Sequence, residues 1–173
     1  MEFPALVYEL IDLRSFSNLW YWLTLALTWS RASHWILGVP WDMVQRARRN
    51  GGDAERDFRD MLRVNLNRID YIFGTAGHAL VAIVSALLTM LAVLGFGYGI
   101  EFGQAVFLIA FPLAIVGALS VRMAGRIRRD GSEGTALHRR LARHRMTVQA
   151  IGLVSIFVTG CWGMLMNLNL AVL

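Results

Sequence analysis

The stretch Ala79 to Phe96, ALVAIVSALLTMLAVLGF, is interrupted by only two polar side chains, Ser85 and Thr89. Crossing ~30 Å of hydrocarbon takes about 20 largely apolar helical residues, and the apolar run around this stretch, residues 71–98, is long enough. Three further segments meet or approach that length, 16–39, 104–121 and 146–173. The chain has 173 residues, 56% of them hydrophobic, so one compact membrane bundle fits and little remains for a second domain. The fold class expected is all-α, a polytopic membrane protein of four transmembrane helices in a single domain, 1–173.

Outward from the apolar runs lie two polar segments, 40–70 and 122–145, which hold 15 of the 17 arginines; there is no lysine. With four spans both segments fall on one side, and the positive-inside rule makes them cytoplasmic loops and both termini periplasmic. The remaining polar parts agree. Residues 1–18 carry Glu2, Glu9 and Asp12 against Arg14, the turn 95–103 has only Glu101, and no charge follows Arg145. Trp20 and Trp22 at one end of the first span, with Trp35 and Trp41 at the other, match the two aromatic belts. An acidic start without a basic n-region predicts that the first span is retained rather than cleaved.

The segment 40–70 divides at Asn50-Gly51-Gly52. Beyond it Ala54, Phe58, Met61, Leu62, Ile69 and Phe73 recur at helical spacing, opposite a face of alternating charge. This predicts an amphipathic cytoplasmic surface helix between spans 1 and 2, bending into the second span near Gly74 and Gly77. Its charges nearly cancel, seven arginines against six acids over 40–70. The segment 122–145, with eight arginines against Asp130 and Glu133, is the polybasic one.

The net charge of +5 does not imply nucleic acid, because the arginines sit between apolar spans, where topology alone places them. A single cysteine, Cys161, excludes an intrachain disulfide, a paired-cysteine thiol oxidase and a several-thiolate metal or cluster site. Intramembrane carboxylates, histidine boxes and a Ser/His pair within the spans are lacking, so an enzyme or a small proton-coupled transporter is not expected. The run Gly95-Phe96-Gly97-Tyr98-Gly99 superficially matches a potassium filter, but a glycine-rich turn between two helices explains it better.

Candidate binding residues fall into three sets. Ser17, Tyr21, Thr24, Thr28 and Arg31 share one face of the first span, which should look into the bundle or onto another protein unless Arg31 snorkels to phosphates. His34 and His78 fall at equal depth if spans 1 and 2 are antiparallel, the arrangement a single haem or chlorin would need; the plainer reading is hydrogen bonding, and no cofactor is expected. Arg122, Arg126, Arg129, Arg139, Arg140 and Arg143 can meet anionic lipids, cardiolipin included, or an acidic partner, or simply fix topology. Small residues at four-residue spacing, Ala110, Ala114 and Ala118 in the third span and Ala82 and Ala86 in the second, predict close helix packing within the bundle or against another complex.

The stretches ELIDLRSFSNLWYW, beginning at Glu9, and ASHWILGVPWDMV, beginning at Ala32, resemble a family of small alphaproteobacterial inner-membrane proteins labelled a component of the Suf iron-sulfur assembly complex. The resemblance implies a bacterial inner-membrane location and carries over no catalytic residue. It directs attention to small added subunits of respiratory and photosynthetic membranes. The function expected is a non-catalytic accessory, stabilising or assembly subunit of a larger integral membrane complex. The alternatives are a single-haem electron carrier using His34 and His78, and a lipid- or ion-handling protein using the arginine-rich segment.

Overall fold

The computed structural model describes residues 15–171, which are almost wholly helical. The acidic N-terminal residues Glu2, Glu9 and Asp12, and with them part of the stretch that carries the family resemblance, lie outside the described residues. A 3-10 turn at Ser15–Ser17 leads into α1, Leu19–His34; a two-stranded hairpin follows, β1 at Trp35–Ile36 and β2 at Val39–Pro40. Then come α2, Trp41–Asn50, and α3, Gly52–Ala92, which ends in a π turn over Val93–Gly97. The last two helices are α4, Glu101–Asp130, and α5, Gly134–Ala171.

Three helices, α3 with its π turn, α4 and α5, are long and apolar enough to cross a membrane, as in a multi-pass membrane protein. Helix α1 has 16 residues, ~24 Å at 1.5 Å each, and falls short of that length. Its ends are set locally. The Asn18 side chain accepts from the Trp20 N–H at 2.9 Å and caps the start. The helix cannot run to residue 39, because Leu37 and Gly38 take φ of 51° and 76° and Val39 precedes a proline. Those two left-handed residues close the hairpin, in which Trp35 pairs with Pro40 and Ile36 with Val39.

The segments expected to be loops are mostly helix. The amphipathic stretch after Gly52 is the first half of α3, unbroken through Gly74 and Gly77, and the chain itself covers the middle of its apolar face while Phe73 stays exposed. Phe58 and Leu62 are fully buried in one core with Ile36, Leu37 and Val39 of the hairpin, Val44 and Ala47 of α2, Ala124 and Ile127 of α4, and Leu137 and Leu141 of α5. Likewise 122–145 is the end of α4, a tight turn and the start of α5. Gly131, at φ 55°, ends α4, and the Ser132 N–H reaches back to the Ile127 carbonyl. Both arginine-rich segments therefore build one helical head. Arg128 clasps Asp70 and Asn67 across it, and His138 Nε2 lies 3.0 Å from Glu55 while its ring stacks on Phe58.

Beyond the head, α5 supplies the spine of the bundle. Val148, Gly152, Ser155, Thr159 and Gly163 are buried at steps of four, three, four and four. Trp29 of α1 lies over Gly152, and Phe16 and Trp22 lie over Gly163. Pro112 within α4 has no N–H to give the Leu108 carbonyl, and Ser155 Oγ donates to that oxygen instead, at 3.3 Å. Ala110 and Ala114 are half-buried, while Ala118 is exposed.

At the far end, α3 and α4 meet backbone to backbone. A Cβ on Gly95 would lie 2.6 Å from the Gln104 nitrogen, and one on Gly103 would lie 2.9 Å from the Gly95 nitrogen. The glycine-rich run is thus a turn, made possible by two glycines facing each other. Buried Gln104 fastens it, donating from Nε2 to the Gly95 carbonyl at 2.8 Å and accepting from Trp162 Nε1 at 3.0 Å.

Candidate functional site

Two surfaces remain after this packing is accounted for. The first follows from the turn at Gly131, which sets the end of α4 antiparallel to the start of α5. Their apolar sides, Ala124 and Ile127 against Leu137 and Leu141, go to the core. Arg122 and Arg126, one turn apart on α4, and Arg140 and Arg143 on α5 are left lining a shared cavity of about 660 Å³ with Leu119, Met123, Asp130, His144 and Thr147. Arg140 bonds Asp130 at 2.6 Å and closes its outer end. Buried His144 forms the floor, with Nε2 3.1 Å from Ser120 Oγ. Directly inward along the same two helices lies an apolar cavity of about 450 Å³ between the Pro112 region of α4 and Ala150 to Val158 of α5.

The second surface is the apolar half of α3. None of its residues from Tyr71 to Ala92 is buried; Ala92, at its end, is half-buried, as are Gly77, Leu80, Leu88 and Leu91, which mark the side toward α4. Gly74, His78, Ala82, Ser85 and Thr89 form a separate exposed stripe at steps of four, four, three and four. Thr89 Oγ1 donates to the Ser85 carbonyl at 2.8 Å, whereas the His78 and Ser85 side chains have no hydrogen-bond partner among the described residues. Ala86 is exposed beside the stripe, so Ala82 and Ala86 do not close the bundle.

Four of the arginines singled out in the sequence thus come together. Arg139 is exposed outside the cavity, and Arg129 turns back to the Gly125 carbonyl at 3.3 Å. Arg145 is structural: its Nε donates to the Ser33 carbonyl at 3.2 Å and its guanidinium lies 4.6 Å over the Trp41 ring. The polar face of α1 is split. Tyr21 donates to the Ala105 carbonyl at 3.2 Å and Ser17 to Asn167 at 3.0 Å, but Thr24 and Arg31 are exposed. His34 ends α1 with Nε2 3.6 Å from Asp42, and His78 lies on α3. Helix α1 packs on α5 and α3 on α4, so the two histidines sit on helices that make no extended contact.

The sequence reading passed over His144 and Gly152. The small-residue series Gly152, Ser155, Thr159, Gly163 was the available signal for the second, and nothing but proximity to Ser120 distinguishes the first. Comparisons with protein-family models, curated proteins and solved structures find no match for the chain.

Proposed function

We propose that the chain is a non-catalytic accessory, stabilising or assembly subunit seated beside a larger integral membrane complex of a bacterial inner membrane. One observation carries this reading: α3, which holds the most apolar membrane-length stretch, keeps a stripe of small and polar residues exposed from Gly74 to Thr89. Lipid tails give a small residue nothing to pack against and leave a polar side chain unsatisfied, whereas a neighbouring helix does both jobs. The resemblance of the N-terminal stretches makes respiratory and photosynthetic complexes the first to search.

The same reading carries four spans. Helix α1 runs beside α5 between Arg145, which holds its carbonyl end, and Gly163, against which Phe16 rests. The eighteen helical steps of α5 from Arg145 to Gly163 rise ~27 Å, nearly the hydrocarbon thickness, so α1 travels the same slab in spite of its short helix. The arginine-rich head then faces the cytoplasm and both termini the periplasm.

The test is extraction of the tagged protein from native membranes in a mild detergent, with quantitative mass spectrometry, for the native chain and for Ala82→Leu with Ser85→Leu. An integral membrane complex held in fixed ratio by the native chain and lost in the variant is the expected result. A native chain that runs alone, with every respiratory and photosynthetic complex unchanged on its deletion, refutes the proposal.

A further inference from the structure

We propose that the α4–α5 groove is a binding site for one anionic glycerophospholipid, its phosphate among Arg122, Arg126, Arg140 and Arg143 and an acyl chain along the apolar cavity beside Pro112. Charge is the first ground. Four guanidiniums line one cavity against a single carboxylate, Asp130, and that one is already bonded to Arg140. Guanidinium forks match phosphate oxygens bidentately and hold their charge at any physiological pH.

Register is the second ground. Leu119 borders the arginine cavity and Ile115, one turn along α4, borders the apolar one; Thr147 and Ile151 do the same on α5. The two cavities are consecutive stretches of one groove. From Arg122 to Leu108, at its inner end, α4 rises ~21 Å, the scale of an extended acyl chain lying along a helix. A free phosphate or a soluble phosphate ester uses the first cavity and has no use for the second. Position is the third ground, since the arginines lie just past the apolar part of α4 and α5, at the level where headgroups sit. The site uses residues of α4 and α5 alone and does not depend on the docking proposal.

The experiment is native mass spectrometry of the full chain, delipidated in detergent and titrated with dioleoyl phosphatidylglycerol, dioleoyl phosphatidylcholine, or glycerol 3-phosphate, a headgroup without chains. The expected order is phosphatidylglycerol at least about tenfold tighter than either other probe. Arg126→Gln with Arg143→Gln should weaken phosphatidylglycerol by about tenfold or more, while Arg139→Gln, outside the cavity, should change it less than about twofold. Ile115→Trp, which fills the apolar groove and leaves the arginines in place, should weaken it as well. Equal binding of the two lipids, or glycerol 3-phosphate as tight as phosphatidylglycerol, overturns the proposal. So does a loss from Arg139→Gln as large as that from the cavity pair.

Discussion

Replacing Gly152 with alanine adds one methyl group, and that methyl has nowhere to go. Its Cβ would stand 2.7 Å from Cε3 of Trp29 and 3.1 Å from Cδ2, inside any ordinary carbon contact. Trp29 is 3% exposed, held between α1 and α5, so relief requires α1 to back away from the spine of the bundle. Overpacking of this kind costs roughly 1–3 kcal/mol. For a chain of 173 residues that corresponds to about 2–12 °C in Tm, at ~2–4 °C per kcal/mol. Gly160→Ala is the matched control, because nothing lies within 4 Å of its Cβ and alanine favours helix. Thermal unfolding in a mild detergent, followed by far-UV circular dichroism, reads both. In a Trp29→Leu background the cost of Gly152→Ala should nearly vanish, since the two residues are in contact and couple. Equal melting of the Gly152→Ala and Gly160→Ala proteins, or the same cost with and without Trp29, would refute the packing of α1 on α5.

Ser155→Ala strips the Leu108 carbonyl of its donor and should cost about 0.6–1.7 kcal/mol, the range of hydrogen bonds between membrane helices. In a Pro112→Ala background, where residue 112 regains its N–H, that cost should disappear; an undiminished cost contradicts the assignment. Gln104→Leu leaves the Gly95 carbonyl and the Trp162 indole without partners and should cost about 2–4 kcal/mol, read as lowered Tm, with no change predicted for Gln149→Leu on an exposed face. Arg145→Ala removes both the Ser33 bond and the contact with Trp41, about 1–2 kcal/mol in all, whereas Arg139→Ala should be silent in the same melt.

The helical class and the three helices long and apolar enough to cross a membrane were legible because hydrophobic periodicity and length mark a run such as 79–96 plainly. The break at Asn50-Gly51-Gly52 and the turn at 95–99 were legible too, for glycine marks where a helix can stop. The carbonyl freed by Pro112 was foreseeable, but its donor was not: no spacing rule connects Leu108 with Ser155 across two helices. The hairpin at 35–40 was missed because apolar residues that cover a head core look like the end of a span; only Gly38 and Pro40 contradicted it. The amphipathic half of α3 shows the same limit. Periodicity reveals that a face is apolar and is silent on whether lipid, a partner or the chain's own α2, α4 and α5 covers it. Arginine counts identified the polybasic segment, but only its folding back at Gly131 separates the four that share a cavity from Arg128 and Arg145, which hold the head together.

Docking through α3 is tested most directly by photo-crosslinking in native membranes, with a diazirine amino acid placed in turn at Ala82 and Ser85 on the stripe and at Ile83 and Leu87 on the opposite side. The expected result is one integral membrane protein joined from Ala82 and Ser85 in fixed ratio, with lipid alone labelled from Ile83 and Leu87. Labelling of lipid alone from all four positions would contradict the assignment of this chain as a subunit docked through α3.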